Sequence, residues 1–367
     1  MRLLEVMNCL KVCGGAENFE VNFCKLAQEH TDFYPTILYE SHGCPLYNKL
    51  VSFSKKEPFT IGKRNSFDFK AICRLHRFIK INKIQVIHTE NNCLITAYIA
   101  SFFQGTPIIH TIHLPPDKEA SGFFAKFLYK IIYRSKRVTP VTLTEENTSL
   151  FAKTYHFKKM IYCIKNGVNN EDFVSSIPLG KRQIDCAVLA RMSEPKNYPF
   201  ILEVIYRAHS LNSKLHFEIY GDGEMESFVL AFWKERHMEG YLSIHKPTSS
   251  PKDVLMNTKT LLLPSLFEAS PMVIMEAMSS GCVCIASDVG GIPDLITSGS
   301  DGFLFPLGDP VVFARKICEV SENPDFFLSI SKTAEDRALA SYSIQRAWSQ
   351  YFELFLNVGK SEKINHR

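Results

Sequence analysis

The stretch KTLLLPSLFEASPMVIMEAMSSGCVCIASDVGGIPDL, residues 259–295, decides the fold of this chain. It contains two apolar runs, residues 260–263 and 283–286, separated by a turn and a segment typical of a short helix. A strand, a helix and a second strand in this order form the parallel crossover unit. The stretch therefore predicts an α/β fold, with a parallel sheet covered by helices.

The turn after the first of these strands is suited to an anionic ligand. Ser270 followed by Pro271 predicts an N-cap and a first helical position. The backbone N–H groups of Met272 and Val273, with Ile274 just behind them, are then expected to face the loop. Free N–H groups and the positive end of a helix dipole bind phosphate where parallel strands end.

Two carboxylates flank this helix start. Glu268 lies in the loop before it, and Glu276 lies among mostly apolar neighbours within the helix. Taken alone, they could be a loop charge and a solvent-facing helix charge. Together with the flanking glycines, however, PSLFEASPMVIMEAMSSGCVCIASDVGGIPDLI resembles the donor-binding signature of retaining GT-B glycosyltransferases of group 1, family 4. The resemblance implies that Glu268 holds sugar hydroxyls and that Glu276 holds ribose hydroxyls.

Length, composition and charge set the outer limits of the prediction. A chain of 367 residues exceeds a comfortable single core, so two domains are expected. A hydrophobic content of 46% with 22% charged residues excludes a disordered chain. The first 170 residues carry 23 Lys and Arg against 13 Asp and Glu. This basic half predicts an acidic partner, either a membrane surface or a phosphorylated acceptor.

The cysteines and the apolar stretches indicate a cellular compartment. The 11 cysteines form no C-x-x-C pair, which favours reduced and mostly buried thiols over disulfides or zinc. No signal peptide is visible, and no stretch has the composition of a membrane span. We therefore expect a cytoplasmic protein, peripheral at most on the inner face of the cell membrane.

The amino-terminal segment predicts a strand, a glycine turn and a helix, which is the architecture that binds nucleotide phosphates. The adjacent glycines Gly14 and Gly15 do not form G-x-G-x-x-G, so a dinucleotide fingerprint fits poorly. Glu40, at the end of the next apolar run, nevertheless stands where a dehydrogenase has the acidic residue that binds the ribose. The turn resembles instead the family's loop beside the donor phosphates and the acceptor.

A histidine ends a later strand of the same half. Residues 84–87 predict one strand, and residues 107–113 (PIIHTIH) predict another, with His113 at its carboxyl end. A lone histidine at a strand end is more often structural. The family resemblance implies that His113 holds the donor sugar by a hydrogen bond.

Residues 123–137, FFAKFLYKIIYRSKR, contain five basic residues and no acidic residue. The pattern is typical either of a core helix with one solvated edge or of an amphipathic helix that lies against anionic lipid. This segment is the best candidate for membrane contact in the chain.

A second alternating domain opens with an apolar strand at residues 184–190. Arg191 and Lys196 follow it, and two cations at the carboxyl end of a strand suit a diphosphate. In the resembling family this pair stabilises the leaving diphosphate, although Ala190 and Asn197 stand where the family usually has glycine. Gly221 lies at another strand-to-turn junction that matches the family's pattern.

The expected fold is therefore two doubly wound Rossmann-like domains facing a cleft, the GT-B arrangement. Residues 1–165 form the acceptor side, residues 166–183 a linker and residues 184–340 the nucleotide-sugar side. Residues 341–367 form a helix that packs back on the first domain. Turn-forming residues in the linker mark the boundary.

The expected function is retaining transfer of a hexosyl unit from a nucleotide sugar, a UDP-sugar, to a saccharide or lipid-linked acceptor in bacterial surface polysaccharide synthesis. No D-x-D motif is present, so neither a metal nor a cofactor is expected, and nucleic acid is not an expected partner. Two alternatives stay open at this point: a noncatalytic module that binds nucleotide sugar, and an NAD-dependent dehydrogenase.

Overall fold

The computed structural model describes residues 1–11, 14–65, 68–116, 119, 123–248 and 250–365. The chain divides into two compact units. The N-terminal unit contains Met1–Gly167 together with Ile344–Arg367, and the C-terminal unit contains Val168–Ser343. Each unit is built around a parallel sheet of its own.

The sheet of the N-terminal unit has seven strands within the described residues: β1 (Arg2–Met7), β2 (Asp32–Ile37), β3 (Phe59–Thr60), β4 (Val86–Glu90), β5 (Ile108–Ile112), β6 (Val138–Thr142) and β7 (Tyr162–Cys163). The strand order is β3-β2-β1-β4-β5-β6-β7, and every neighbouring pair is parallel. The order reverses between β1 and β4, which is the switch point of a doubly wound sheet.

The sheet of the C-terminal unit has six strands in the described part of the chain: β8 (Ile184–Leu189), β9 (Phe217–Tyr220), β10 (Leu242–His245), β11 (Thr258–Leu263), β12 (Val283–Ser287) and β13 (Phe303–Phe305). They run parallel in the order β10-β9-β8-β11-β12-β13. The switch point lies between β8 and β11. The predicted pair of doubly wound α/β sheets is therefore confirmed.

The helices that cover the two sheets are α1 (Gly15–His30), α2 (Pro45–Phe53), α3 (Phe69–Ile81), α4 (Leu94–Ala100), α5 (Phe123–Arg134), α6 (Glu145–Tyr155), α7 (Tyr198–Leu211), α8 (Glu226–Glu235), α9 (Pro251–Leu255), α10 (Met272–Ser279), α11 (Pro310–Glu322), α12 (Leu328–Ser341) and α13 (Ile344–Asn365). Side-chain caps fix some of their starts. Asp68 accepts the N–H of Ala71 at 3.1 Å, and Thr144 accepts that of Asn147 at 3.1 Å. None of the described helices has the length and apolarity needed to cross a bilayer.

The C-terminal helix α13 packs within the N-terminal unit, as predicted. The ring centroids of Trp348 and Phe23 are 5.1 Å apart, and Phe355 lies beside them. The hydroxyl of Tyr351 lies 2.7 Å from Oγ1 of Thr111 on β5. Burying each large side chain of this kind stabilises the fold by about 1.5–3 kcal/mol, so α13 is an integral part of this unit.

Much of the segment predicted as a linker is tied to the C-terminal unit. The side-chain amide of Asn170 donates to the carbonyl of Ala338 at 3.0 Å, and Ser175 donates to that of Met256 at 2.7 Å. The described cysteines form no disulfide with one another, and most are buried, in agreement with the predicted thiols.

Candidate active site

The carboxyl ends of β8 and β11 lie side by side, because these two strands pair at the centre of the C-terminal sheet. Arg191 and Lys196 follow β8, while Glu268 follows β11 and precedes α10. Side chains from two separate segments of the sequence therefore meet at one edge of the sheet, where ligands of doubly wound sheets bind.

Lys196 and Glu268 are in direct contact. Nζ of Lys196 lies 2.5 Å from Oε1 of Glu268, and Ser265 donates to the same oxygen at 2.8 Å. The Lys196 side chain is 23% exposed and that of Glu268 is 10% exposed. The sequence predicted both residues for the site but not their contact, and it gave no role to Ser265. The site is thus organised around a partly buried ion pair.

Asn197 explains how the loop after β8 adopts its shape without the glycine that the resemblance leads one to expect. Its backbone lies in the left-handed region, with φ 59° and ψ 49°. Glycine adopts this conformation freely, and asparagine is among the other residues that tolerate it best. The replacement therefore preserves the turn that carries Lys196.

Arg191 is held only weakly. Its guanidinium lies 3.3 Å from the carboxylate of Glu224, and the two side chains are 63% and 56% exposed. An exposed ion pair of this kind contributes about 0–1 kcal/mol. Within the described residues Arg191 does not contact Lys196 or Glu268, so the structure places the two predicted cations at the same strand end without bringing them together.

The start of α10 differs from the prediction. The helix begins at Met272, and its N-cap is Pro271, with φ −71° and ψ 110°, so Ser270 does not cap it. The prediction that Ser270 is the N-cap was wrong because the extended ψ of Pro271 keeps that residue outside the helix. Ile274 donates its N–H to the carbonyl of Pro271 at 3.1 Å. The N–H groups of Met272 and Val273 have no hydrogen-bond acceptor among the described residues.

Glycines hold the neighbouring loops close to these side chains. A Cβ on Gly221 would lie 2.1 Å from the carbonyl oxygen of Ala190, beside Arg191. Gly290 has φ +52°, and a Cβ there would lie 2.2 Å from the carbonyl oxygen of Glu268. The sequence did not predict the close approach of Gly290 to the loop that carries Glu268.

Glu276 lies one turn into α10 and is half-buried. Its apolar neighbours Met275 and Ala277 are fully buried, as the amphipathic pattern requires. Glu276 therefore lies on the partly exposed face of α10, the helix whose first two N–H groups have no acceptor in the described part of the chain.

His113 lies directly after β5 in the N-terminal unit. Its Nε2 is 2.7 Å from Oε2 of Glu90, at the end of β4, and the side chains are 8% and 1% exposed. Burial opposes the charge of Glu90, but the charge and the hydrogen bond of His113 hold the pKa of Glu90 below its usual range. Glu90 was not predicted, because nothing in its local sequence distinguishes it from other strand residues.

The predicted glycine turn opens α1. Gly14 is the N-cap, without a side-chain cap, and Gly15 is the first helical residue. Asn18 donates both its N–H and its side-chain amide to the carbonyl of Gly14, each at 3.0 Å. The turn is therefore a helix start at the carboxyl end of β1, as the sequence predicted.

Comparison with known families adds to this geometry. The model for Glycosyltransferase Family 4 matches residues 13–172, and the model for Glycosyl transferases group 1 matches residues 183–323. The chain belongs to the group 1, family 4 glycosyltransferases. The match leaves the dehydrogenase alternative without support.

Curated relatives of this glycosyltransferase include bacterial enzymes. The UDP-Gal:alpha-D-GlcNAc-diphosphoundecaprenol alpha-1,3-galactosyltransferase of Escherichia coli is 25% identical over 311 residues, which cover 79% of this chain and 80% of the relative. The poly(ribitol-phosphate) alpha-N-acetylglucosaminyltransferase of Staphylococcus aureus (strain COL) is 21% identical, over 68% of this chain and 50% of the relative.

Solved structures show the fold. Anabaena Alr3699/HepE in complex with UDP superposes with a TM-score of 0.83 at 15% identity, covering 97% of this glycosyltransferase and all of that chain. A glycosyltransferase from Rickettsia africae gives a TM-score of 0.78 at 17% identity, over 97% and 98% of the two chains. The fold is therefore GT-B.

Proposed function

We propose that this enzyme transfers a hexosyl unit from a UDP-sugar to a saccharide or lipid-linked acceptor during synthesis of a bacterial surface polysaccharide. The relative from Escherichia coli is named for a UDP-galactose donor and a diphosphoundecaprenol acceptor, and one solved neighbour was crystallised with UDP-glucose. The observation that carries the proposal is the ion pair between Lys196 and Glu268 at the carboxyl edge of the C-terminal sheet.

The donor diphosphate binds to the cations and amides at this edge. Lys196 exchanges the carboxylate of Glu268 for a phosphate oxygen, and Arg191 leaves its weak partner Glu224 at little cost. The N–H groups of Met272 and Val273 supply further donors at a helix start. Positive charge at the leaving group is then provided by the chain itself, so we propose transfer that does not depend on a metal at the diphosphate.

Glu268 and Glu276 bind the hydroxyl groups of the donor. Both Lys196 and Ser265 contact Oε1 of Glu268, whereas none of the described residues contacts its Oε2. That oxygen can accept hydrogen bonds from the transferred sugar. Glu276, further along α10, accepts hydrogen bonds from the ribose hydroxyls.

The chemical step resembles glycoside hydrolysis in its oxocarbenium-like transition state. The bond between the anomeric carbon and the diphosphate breaks, and the acceptor oxygen bonds to the same face of that carbon, so the configuration is retained. The proton of the acceptor hydroxyl passes to the departing phosphate. Glu90 holds Nε2 of His113, which fixes the ring for a hydrogen bond to the donor sugar. We assign Gly14 and Gly15 to the binding of the donor phosphates and the acceptor, as the family resemblance implies.

One face of helix α5 in the N-terminal unit has side chains that suit contact with lipid, and such contact would suit a lipid-linked acceptor. Helix α5 buries Tyr129 and Tyr133 on one face, while Phe127 and Ile131 are 52% and 48% exposed on the other. Basic side chains lie along the same helix: Lys126, Lys130 and Arg134. We propose that this face of α5 contacts anionic lipid at the cytoplasmic side of the cell membrane. The side chains of Phe123 and Phe124, at the start of the predicted segment, lie outside the described residues.

The test has a binding step and a transfer step. A panel of nucleotide sugars is first screened for an increase in unfolding temperature, because a ligand that binds the folded state stabilises it by mass action. Each stabilising donor is then incubated with lipid-linked saccharides, and the product's anomeric configuration is determined by NMR. A product in which the anomeric configuration of the donor sugar is retained supports the proposal. Binding without transfer or donor hydrolysis would instead identify a noncatalytic module.

A further inference from the structure

A second cluster of ionisable residues lies inside the N-terminal unit, and of its members only Glu90, which holds His113, has a role in the proposed transfer. Glu5 on β1 is paired in register with His88 on β4, and Glu90 lies two residues further along β4 on the same face. Burial, together with the charges of Glu90 and Glu5, raises the pKa of Glu20 on α1 well above its usual range. All four residues are at most 1% exposed.

The cluster leaves three carboxylate oxygens without partners. Nδ1 of His88 lies 2.8 Å from Oε2 of Glu5, and Glu90 uses its Oε2 for His113. The Oε1 atoms of Glu5, Glu20 and Glu90 are buried and have no hydrogen-bond partner among the described residues. Buried carboxylates are normally paired or bound to a cation, so these unpartnered oxygens require a physical cause.

Another buried carboxylate in the same unit shows what a complete set of partners looks like. Glu119 is 8% exposed and has His110 at 3.0 Å, Tyr133 at 2.5 Å and Tyr155 at 3.1 Å, which together reach both of its oxygens. This unit therefore does bury a fully satisfied carboxylate elsewhere. The cluster around Glu5 has more carboxylates and fewer donors.

The arrangement has the geometry of a metal site. One ligand atom each from Glu5, His88 and Glu90 can be chosen so that all lie within 4.8 Å of one another. Ligands bound to one ion at about 2.0–2.2 Å lie no more than roughly 4.4 Å apart, so small side-chain movements would complete the shell. Nε2 of His88 lies 2.9 Å from Oγ1 of Thr111, which itself contacts Tyr351. Outer partners of this kind orient the ring of a metal-binding histidine.

We propose that Glu5, His88 and Glu90 bind a first-row divalent cation. Carboxylate and imidazole ligands together suit ions such as Mn²⁺. The ion would join β1 to β4, and through Glu90 it would also support His113 on the neighbouring strand. Its ligands are not among the residues proposed to bind the donor diphosphate, and metal binding can be measured without sugar transfer.

The experiment uses the full-length protein without an affinity tag. Mn²⁺ is the probe, because thiols such as the exposed Cys73 bind it weakly. After EDTA treatment and desalting, Mn²⁺ is titrated while the unfolding temperature and the bound metal are measured. We expect about one equivalent to bind and the unfolding temperature to rise by several degrees. Unchanged unfolding with no bound metal would overturn the proposal.

Variants separate a metal site from a set of protonated carboxyl groups. Glu5→Gln should abolish Mn²⁺ binding, whereas the control Glu119→Gln should retain the full equivalent, even if it is less stable. If the EDTA-treated Glu5→Gln protein is more stable than the wild type and the wild type binds no Mn²⁺, the carboxyl groups of the cluster are protonated instead of bound to a metal. The proposal then fails. These readouts do not involve sugar transfer, so they stand apart from a failure of the proposed function.

Discussion

The Nζ atom of Lys196 lies 2.5 Å from Oε1 of Glu268, and this contact joins the loop after β8 to the loop after β11. Ser265 donates to the same carboxylate oxygen at 2.8 Å. The contact holds the side chain of Lys196 at the edge where the helix α10 presents free N–H groups. A bound diphosphate offers Lys196 two negatively charged phosphates, whereas Glu268 offers one carboxylate. The diphosphate therefore competes with Glu268 for the lysine.

Replacing Lys196 by alanine should lower kcat by roughly 10²–10³-fold, the loss typical when one donor to a developing negative charge is removed. The fold should survive, since Ser265 still donates to Glu268. The measurement is steady-state transfer together with thermal unfolding. Lys259→Ala is the matched control, because Lys259 forms a similarly buried ion pair with Asp185 at 2.7 Å in the same unit. Equal activity in both variants would remove Lys196 from the mechanism.

Replacing Arg191 by alanine should also lower turnover by orders of magnitude while changing the free energy of unfolding by no more than about 0.5 kcal/mol. Its partner Glu224 is itself 56% exposed and needs no counter-ion. Arg207→Ala is the control, since Arg207 forms an exposed pair with Glu203 on α7. Kinetics and chemical denaturation measure the two effects. A destabilised Arg191 variant with normal turnover would assign Arg191 to the fold instead.

Replacing Gly290 by alanine should raise KM for the donor and destabilise the protein by about 1–3 kcal/mol. The new Cβ would lie 2.2 Å from the carbonyl of Glu268 and force that loop to move. Gly299→Ala shares the positive φ but meets no atom within 4 Å, so it tests backbone strain alone. If the two variants have the same KM, the close approach to Glu268 has no effect on donor binding.

Replacing Phe127 by glutamine should weaken binding to vesicles that contain anionic lipid, because the exposed apolar part of α5 would lose its insertion into the interface. Co-sedimentation with anionic and with neutral vesicles measures the effect. Phe326→Gln is the control, since Phe326 is 75% exposed in the C-terminal unit. If the wild-type protein does not co-sediment with anionic vesicles, the proposed lipid contact is contradicted.

The fold was largely predictable because its strands are apolar and parallel. The runs at residues 260–263 and 283–286 became β11 and β12, each buried between helices. The strand predicted at residues 84–87 extends instead to Glu90, since β4 buries His88, Thr89 and Glu90 in polar contacts. An apolar pattern cannot predict the part of a strand whose buried residues are polar and contact other elements.

The sequence indicated candidate site residues but not the contacts between them. Family spacing named Lys196 and Glu268, yet only the pairing of β8 with β11 places them 2.5 Å apart. The cap of α10 was misassigned to Ser270 because one backbone angle at Pro271 decides it. No sequence pattern predicted the cluster of Glu5, Glu20 and Glu90, because its members come from separate helices and strands.

A crystal structure of the protein with UDP tests the central claim most directly. The account predicts that the β-phosphate lies within about 2.7–2.9 Å of Lys196 Nζ, near the N–H groups of Met272 and Val273, and that the bond from Lys196 to Oε1 of Glu268 is broken or shared. A diphosphate bound elsewhere, with Lys196 still held by Glu268 and Arg191 still on Glu224, would contradict it.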